Sequence, residues 1–442
     1  MATKRRKGLA PLTWPAWFQR LRAAHMALGV GLVVVAILLY ANLASSERKV
    51  EHPIAHQYAA SDSQFVRTMG SLLGPSFVAG NHVTALLNGA EVFPAMLGAI
   101  RAARRTITFE SYIYWSSETG REFTAALSER ARAGVHVHVL LDWAGSQKAS
   151  RADLTRMKEA GVVVVMYRPL RWYSLDRVNH RTHRKLLIVD GRIGFTGGVG
   201  IADQWQGHGQ DRDHWRDSQF RVEGPVVAQL QAAFMDDWFE VKGAVLDGHG
   251  YFPDLDPSGP ALAQVFRSSP SGGNGNLRLM YLMAIAAASR RILIANSYFV
   301  PDRMTVTMLV EARRRGVDVE LIVPGEILDA QLVRRASRKM WGPLLEAGVR
   351  IYEYQPTMYH TKVMVVDDVW TSVGSTNLDD RSFRLNQEAN LNVLDPAFGA
   401  QQARTFAEDR GRSRRVTLEE WRQRTLWERV QEHFAGVMRK QL

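Results

Sequence analysis

The sequence predicts a duplicated α/β sandwich: a bilobed pseudo-dimer with one shared active site, preceded by one transmembrane helix. Three observations predict it. A string of His-x-Lys, four apolar residues and Asp occurs twice, at His183–Asp190 and at His360–Asp367. Further blocks recur around the two strings in the same order and at nearly constant offset. An apolar stretch near the start, residues 26–43, is interrupted only by Tyr40 and Asn42.

The chain opens on a basic tail. Residues 1–22 carry Lys4, Arg5, Arg6, Lys7, Arg20 and Arg22 with no acid. The apolar stretch that follows is near the minimum length for a bilayer span and long for a signal-peptide core. It reads as an uncleaved anchor; a cleaved signal and a buried helix are the alternatives. Cations outnumber acids ahead of it, which by the positive-inside rule leaves the N-terminus cytoplasmic and the body extracytoplasmic. Trp14, Trp17 and Phe18 suit an interfacial aromatic patch or a plain spacer equally well. The expected location is the cell inner membrane, single-pass, with the catalytic domain on the periplasmic or extracytoplasmic side.

Residues 47–80 are polar with turn signals and are expected to wrap the start of the domain. From Gly80 the repeat begins. Ala103–Ile107 with Glu110-Ser111-Tyr112 answers Ser289–Leu293 with Asn296-Ser297-Tyr298, at an offset of 186. The run ending Arg132–Leu141 answers Arg314–Val323 at 182, and Glu159–Val162 answers Glu346–Val349 at 187. Tyr167-Arg168-Pro169 answers Tyr354-Gln355-Pro356, and the His-x-Lys strings come last, at 177. Each half reads as helix, strand, helix, strand, helix, strand, strand. Gly134 and Gly316 are C-cap signals, and the Val/Ile/Leu-rich runs suit strands covered by helices. The fall in offset to 177 marks ten extra residues between Pro169 and His183. That loop, with Arg171, Trp172, Tyr173, Arg177 and His180, is either a lid that meets the substrate or a surface excursion.

The expected boundaries are a basic cytoplasmic tail at 1–25, the membrane helix at 26–44 and a connecting segment at 45–79. The first half then spans 80–243, a Gly/Pro/Ser-rich linker 244–277, the second half 278–395 and a basic C-terminal helical segment 396–442. In that last segment Leu426, Trp427, Val430, Phe434, Val437 and Met438 recur at helical spacing among arginines. Such a helix either lies on an anionic membrane surface or packs its apolar face on the domain.

Over the whole chain 56 Lys and Arg face 44 Asp and Glu, a net +12, which favours anionic partners. There is no cysteine, so thiol nucleophiles and thiolate zinc sites are excluded.

Strand alternation puts His183 and Lys185 on one face, and likewise His360 and Lys362. Asp190 and Asp367 complete the six-residue catalytic signature. Their odd spacing from the lysines gives them a structural role, bonding backbone or turn groups. Gly197-Gly198-Val199-Gly200 and Gly374-Ser375-Thr376-Asn377 follow as turns. Gly198, Ser375 and Asn377 are the expected phosphate-binding positions, where backbone N–H groups approach an anion closely. Two imidazoles and two ammonium groups suit a tetrahedral phosphoryl group. Too few acids lie on that face to cage a divalent ion, so no metal is expected. Two histidines also suit a two-step displacement, one attacking phosphorus and the other moving the proton. A nucleophilic His needs an acceptor on its far nitrogen. Asp217 and Glu388, 34 and 28 residues after the respective histidines, are the orienting candidates.

These residues resemble the phospholipase D superfamily, in its bacterial cardiolipin synthase-like branch. The resemblance rests on Gly80-Asn81, Glu110–Ile113, Asn179–Lys185, Trp215-Arg216-Asp217 and Gly374–Ser382, and covers residues 80–442. It implies metal-independent phosphodiester chemistry through a phosphohistidine, with no cofactor. It makes His183 the nucleophile and His360 the acid/base. It crosses the carboxylates over, so that Glu388 orients His183 and Asp217 orients His360. Two departures stand out: Gly200 where the family has Asn, and Asp368 where Gly usually follows the motif Asp.

The implied function is phosphatidyl transfer on an anionic phospholipid, most simply cardiolipin formation from phosphatidylglycerol. Hydrolysis to phosphatidic acid uses the same chemistry with water as acceptor. A membrane-tethered nuclease is a further alternative, although no regular stacking platform is evident and no nucleic-acid partner is expected. A non-catalytic lipid-binding protein is disfavoured by intact motifs in both halves. The oligomeric state is left open.

Overall fold

The computed structural model describes residues 16–43, 50–170, 179–269 and 276–437. Helix α1 (Ala16–Leu43) has 28 residues, which rise about 42 Å against ~30 Å of bilayer hydrocarbon. It is the one helix among the described residues long and apolar enough to cross a membrane. Its Arg20–Ile37 stretch is fully unburied, so it is no core helix.

Helix α2 (Ser63–Leu73) starts at Asp62, whose carboxylate accepts from the Gln64 N–H. Its buried residues Phe65, Met69 and Leu73 recur every four positions, the spacing of one helix face. Phe65 meets Trp370 edge-on at 6.2 Å. This segment therefore packs on the second half.

The first half contains β1 (Val78–Leu87), α3 (Asn88–Ala102), β2 (Thr106–Ser111), α4 (Glu118–Arg132), β3 (His136–Asp142), α5 (Arg151–Glu159) and β4 (Val163–Tyr167). It continues with the two-residue β5 (Arg181–Thr182), then β6 (Leu186–Val189), β7 (Ile193–Gly197), β8 (Ser218–Glu223) and α6 (Val227–Lys242). The second half contains β9 (Ala261–Ser268), α7 (Asn276–Ala287), β10 (Arg291–Asn296), α8 (Arg303–Arg314), β11 (Asp318–Pro324), α9 (Gln331–Lys339) and α10 (Trp341–Glu346). There follow β12 (Arg350–Tyr354), β13 (Lys362–Val366), β14 (Trp370–Gly374), α11 (Asp380–Arg384), β15 (Asn386–Leu394) and α12 (Pro396–Gly411). The chain ends with β16 (Ser413–Val416), α13 (Leu418–Arg422) and α14 (Leu426–Val437).

The strands join one mixed sheet in the order β16-β12-β11-β10-β13-β14-β15-β9-β1-β8-β7-β6-β2-β3-β4, with β5 beside β15. The order reads alike from either side of the β9–β1 junction, so the two halves are related by a pseudo-twofold there. β1 and β9 pair antiparallel, Val78 opposite Ala263 and Asn81 opposite Ala261. One apolar cluster crosses the junction, with Leu186, Phe220 and Val265 among Val373, Leu391 and Val393. The halves thus share a core as well as a sheet.

Three expectations change. Each half opens with a strand, β1 or β9, and has two further strands after the motif strand where the sequence suggested none. β9 lies inside the stretch 244–277 that reads as linker. The segment after 395 is not purely helical, because β16 pairs with β12 at the sheet edge. Of the ten-residue insertion, the Arg171–Arg177 part lies outside the described residues. Its end is held to the other half, with Asn179 accepting from Arg381 at 3.0 Å.

Candidate active site

The duplicated topology brings the two motif strings together from opposite sides. His183 follows β5, which pairs parallel with β15, and its N–H donates to Gln387 O at 2.9 Å. His360 precedes β13, and its N–H donates to Arg216 O at 2.8 Å. Each histidine is thus stapled to the residue just before a carboxylate of the other half. His183 Nδ1 lies 3.1 Å from both oxygens of Glu388, and His360 Nδ1 lies 2.7 Å from Asp217 Oδ2. The crossed pairing expected for Asp217 and Glu388 is the pairing found. It leaves Nε2 of each ring clear of the carboxylates, with Lys362 Nζ beside that of His360.

The carboxylates are themselves held. Asp217 accepts from Trp205 Nε1 at 2.9 Å and from the Ser218 N–H at 2.8 Å. Glu388 accepts from Ser375 Oγ at 2.5 Å. Both are fully buried. Burial pushes each carboxyl up, but the neighbouring imidazole and lysines outweigh it and hold both below the usual range.

Lys185 Nζ donates to His183 O at 2.8 Å and sits 5.7 Å above the Tyr112 ring. Lys362 Nζ donates to His360 O and, at 2.7 Å, to Ser297 Oγ. It also lies 3.2 Å from both ring nitrogens of His360. Burial is the main force that lowers Lys185 to about 7 and Lys362 to about 8. Burial first, and then the lysine charges of both halves, lower His183 to about 4 and depress His360. Each histidine therefore feels both lysines, as it must in one shared pocket. Burial, which disfavours both ammonium groups, makes a phosphoryl anion a favourable partner for them.

The structure separates Asp190 and Asp367 from this centre. Asp190 accepts from the N–H groups of Arg104, Arg105 and Thr106 at 2.9, 2.7 and 2.9 Å. Asp367 does the same for Ser289, Arg290 and Arg291 at 2.8, 2.7 and 2.9 Å. They lie at the opposite ends of β6 and β13 from the histidines, so their place in a catalytic set is corrected to structural caps. Asp368, at φ +60°, takes the left-handed position that Gly191 takes at +65° in the first half. Its carboxylate accepts from Arg291 Nε at 2.8 Å, which helps to hold that conformation.

The phosphate-binding expectations also need correction. The N–H groups of Gly198 and Ser375 are spent on Ser218 O and Ala389 O, both at 3.1 Å. Gly198 instead makes room: a Cβ there would stand 2.3 Å from Asp217 Oδ1. The Ser375 hydroxyl serves Glu388. Asn377 Oδ1 accepts from Ser297 Oγ at 2.8 Å, which leaves its NH2 group as a donor. Gly200, where the family has Asn, is filled by other means. A Cβ there would meet the Trp205 ring at 3.0 Å, and that indole also packs edge-on to His360 at 5.5 Å.

Sequence reasoning missed Trp205, Tyr112, Tyr298 and Ser297 as site residues. Tyr112 and Tyr298 pack against His183 and His360 at 5.1 and 6.2 Å between ring centres. Both tyrosines, and Ser297, stood in aligned repeat blocks, so a signal existed. Trp205 had none. Arg184, the variable residue of the first motif, is wholly buried. It donates to Glu388 O at 3.2 Å and Ser268 O at 3.0 Å and pairs with Asp237 at 3.3 Å. It braces the first motif against the second half.

Among the described residues no group of three or more His, Asp or Glu is arranged to hold a metal ion. The charge in the pocket comes from lysine ammonium groups.

Comparison with known proteins shows the family. The family model for the cardiolipin synthase, PLD-like domain matches residues 96–238 and 281–410. Cardiolipin synthase 1 of Bacillus cereus is 35% identical over 362 residues, 80% of this chain and 71% of that protein. Cardiolipin synthase A of Pseudomonas entomophila is also 35% identical, over 81% of this chain and 74% of its own. The crystal structure of a phosphatidylserine synthase from Haemophilus influenzae shares the fold, with a TM-score of 0.65 at 16% identity. It covers 86% of this chain and 99% of that one. The chain belongs to the cardiolipin synthase-like branch of the phospholipase D superfamily.

Proposed function

We propose that this protein is a phosphatidyltransferase that makes cardiolipin from phosphatidylglycerol through a phosphohistidine. The observation that carries the reading is the crossed pair of buried imidazole–carboxylate contacts, each flanked by a lysine, within one pocket. His183 is neutral at physiological pH, because burial holds its imidazole down to about 4. Its Nε2 lone pair attacks phosphorus and forms a P–N bond. The P–O bond to the leaving glycerol breaks, and His360 Nε2 gives that oxygen its proton. Asp217, close to His360 Nδ1, favours the protonated imidazole needed for this step. The hydroxyl of a second phosphatidylglycerol then loses its proton to His360 and attacks phosphorus. The P–N bond breaks, and His183 returns to its neutral form. Lys185, Lys362 and the Asn377 NH2 stabilise charge on the non-bridging oxygens.

The chain's first helix and the cations ahead of it support a single-pass protein of the inner membrane with its catalytic domain outside the cytoplasm. The shared core supports two halves that work as one unit, the first from β1 to α6 and the second from β9 to α12.

The test is turnover of labelled phosphatidylglycerol in mixed micelles containing a chelator. Cardiolipin with released glycerol is expected. Phosphatidic acid as the main product would make the enzyme a hydrolase, and a strict metal requirement would overturn the site.

A further inference from the structure

Helix α14 presents an apolar face to solvent. Leu426, Trp427, Val430 and Phe434 are 80, 68, 58 and 66% exposed. At 100° per residue these four span one arc of about 100° on the helix. The opposite face is the one that packs: Glu432 and Ala435 are buried. Ala435 seats in a cluster with Val300, Val333 and Ala336, and Glu432 accepts from Arg424 at 2.7 Å. The helix start is fixed by Thr425 and Glu428, each side chain accepting from the other's N–H at 3.2 and 2.8 Å. The helix is therefore docked and ordered, with its larger apolar residues turned outward. For these four the alternative that they pack on the domain does not hold; Met438 and the side chain of Val437 lie outside the described residues.

Two further observations say what covers the face. α9, against which α14 packs, carries Arg334, Arg335, Arg338 and Lys339 and no acid; Arg334, Arg338 and Arg422 pair with Glu353, Glu432 and Glu346, while Arg335 and Arg429 are exposed and in no ion pair with a carboxylate among the described residues. The packed face of the helix, opposite the stripe, is linked to the site. Tyr298 packs against the cluster that seats Ala435, and its ring lies 6.2 Å from that of His360. Exposed apolar residues with the unpaired cations Arg335 and Arg429 nearby complement an anionic lipid surface.

We infer that α14 is an interfacial anchor, whose Leu426, Trp427, Val430 and Phe434 enter an anionic phospholipid leaflet and seat the mouth of the site on it. The purpose of that seating rests on the lipid reading above; the insertion itself does not. The chain has no cysteine, so single labels are clean. Full-length Val430→Cys, carrying an environment-sensitive fluorophore, is placed in nanodiscs of phosphatidylglycerol and phosphatidylcholine. The comparison is Lys158→Cys at the end of α5, the end of the sheet away from His183. Lipids with a nitroxide near the headgroup should quench the Val430 label at least about twofold more, as an insertion depth of ~5–10 Å requires. Equal quenching at both sites overturns the inference, and so does a Val430 label shielded by a second copy of the chain. This readout needs no turnover, so failure of the functional reading would leave it intact. In the activity arm, Leu426→Ser, Trp427→Ser and Phe434→Ser are combined. These exposed residues carry little of the fold. Turnover of dispersed short-chain lipid should persist, while kcat/KM on bilayer lipid falls about tenfold or more. Unchanged turnover on bilayers overturns the inference.

Discussion

Replacing Gly198 with Ala adds one methyl group where the second half's acid/base is held. Its Cβ would stand 2.3 Å from Asp217 Oδ1, 2.7 Å from Oδ2 and 2.8 Å from Cγ. Comfortable contact needs about 3.5 Å, so the carboxylate must retreat by about 1 Å. It cannot do so freely, because Trp205 and the Ser218 N–H grip it. The 2.7 Å contact to His360 Nδ1 is the one that gives. A charge-assisted hydrogen bond of this kind is worth about 1.5–3 kcal/mol, which converts to about 10- to 150-fold in kcat/KM. Crowding alone costs about 1–3 kcal/mol of stability, which a sound fold tolerates at assay temperature. The assay is turnover of labelled phosphatidylglycerol, with a thermal melt followed by circular dichroism on the same preparation. Gly98→Ala in α3, where a Cβ meets nothing within 4 Å, is the control and should leave turnover unchanged. A folded Gly198→Ala enzyme within about twofold of the parent would refute the role given to the Asp217–His360 contact.

The remaining predictions concern what supports the site. Trp205→Phe keeps a ring beside His360 and removes the donor to Asp217; turnover should fall about tenfold, for a loss near 1.5 kcal/mol. Arg184→Met leaves Asp237 buried without its cation, so unfolding by urea in detergent should show a loss of about 3–5 kcal/mol, and a loss below about 1 would contradict the bracing role. Activity should also follow the down-shifted groups. His183, held to about 4, loses its lone pair as pH falls through that value. His360, held below its ordinary value, and Lys185, held to about 7, lose their protons as pH rises. A plot of kcat/KM against pH should therefore be a bell that already falls on the alkaline side near neutrality. A flat profile beyond pH 8, where Lys362 also titrates, would contradict it.

Much of the site was legible because its chemistry forces residue types that cannot be exchanged. A nucleophilic imidazole needs an acceptor, and the similar spacing of Asp217 and Glu388 from their histidines exposed both. Their crossing over was implied by the family resemblance rather than by spacing. The two motif aspartates were legible through strand alternation, which gave them the backbone role they have. The opening and closing strands were hard to see, and the reason is polarity in the sheet. β15 carries Asn390 and Asn392 inward, where Asn390 donates to Tyr281 and Ser372 and Asn392 to Gln264 of β9. Buried amides that satisfy one another break the apolar pattern by which strands are read. The phosphate-turn reading failed for a similar reason. Small residues at 198 and 375 admit a carboxylate and bind it, and sequence cannot distinguish an internal anion from a bound one. Trp205 lies outside every repeat block, since it serves the half in which Gly200 lacks a side chain.

The most direct test of the two distinct histidine roles is to locate the covalent intermediate. His360→Ala removes both the acid for the leaving glycerol and the base for the incoming alcohol, so with a phosphatidyl ester of p-nitrophenol, whose leaving group needs no proton, an adduct formed on the other ring should accumulate. The variant is mixed with that ester, quenched in alkaline denaturant to preserve the P–N bond, digested and mapped by mass spectrometry. The phosphatidyl group is predicted on the peptide containing His183. An adduct on His360 in the parent enzyme, or turnover by a His183→Ala variant, would contradict the account.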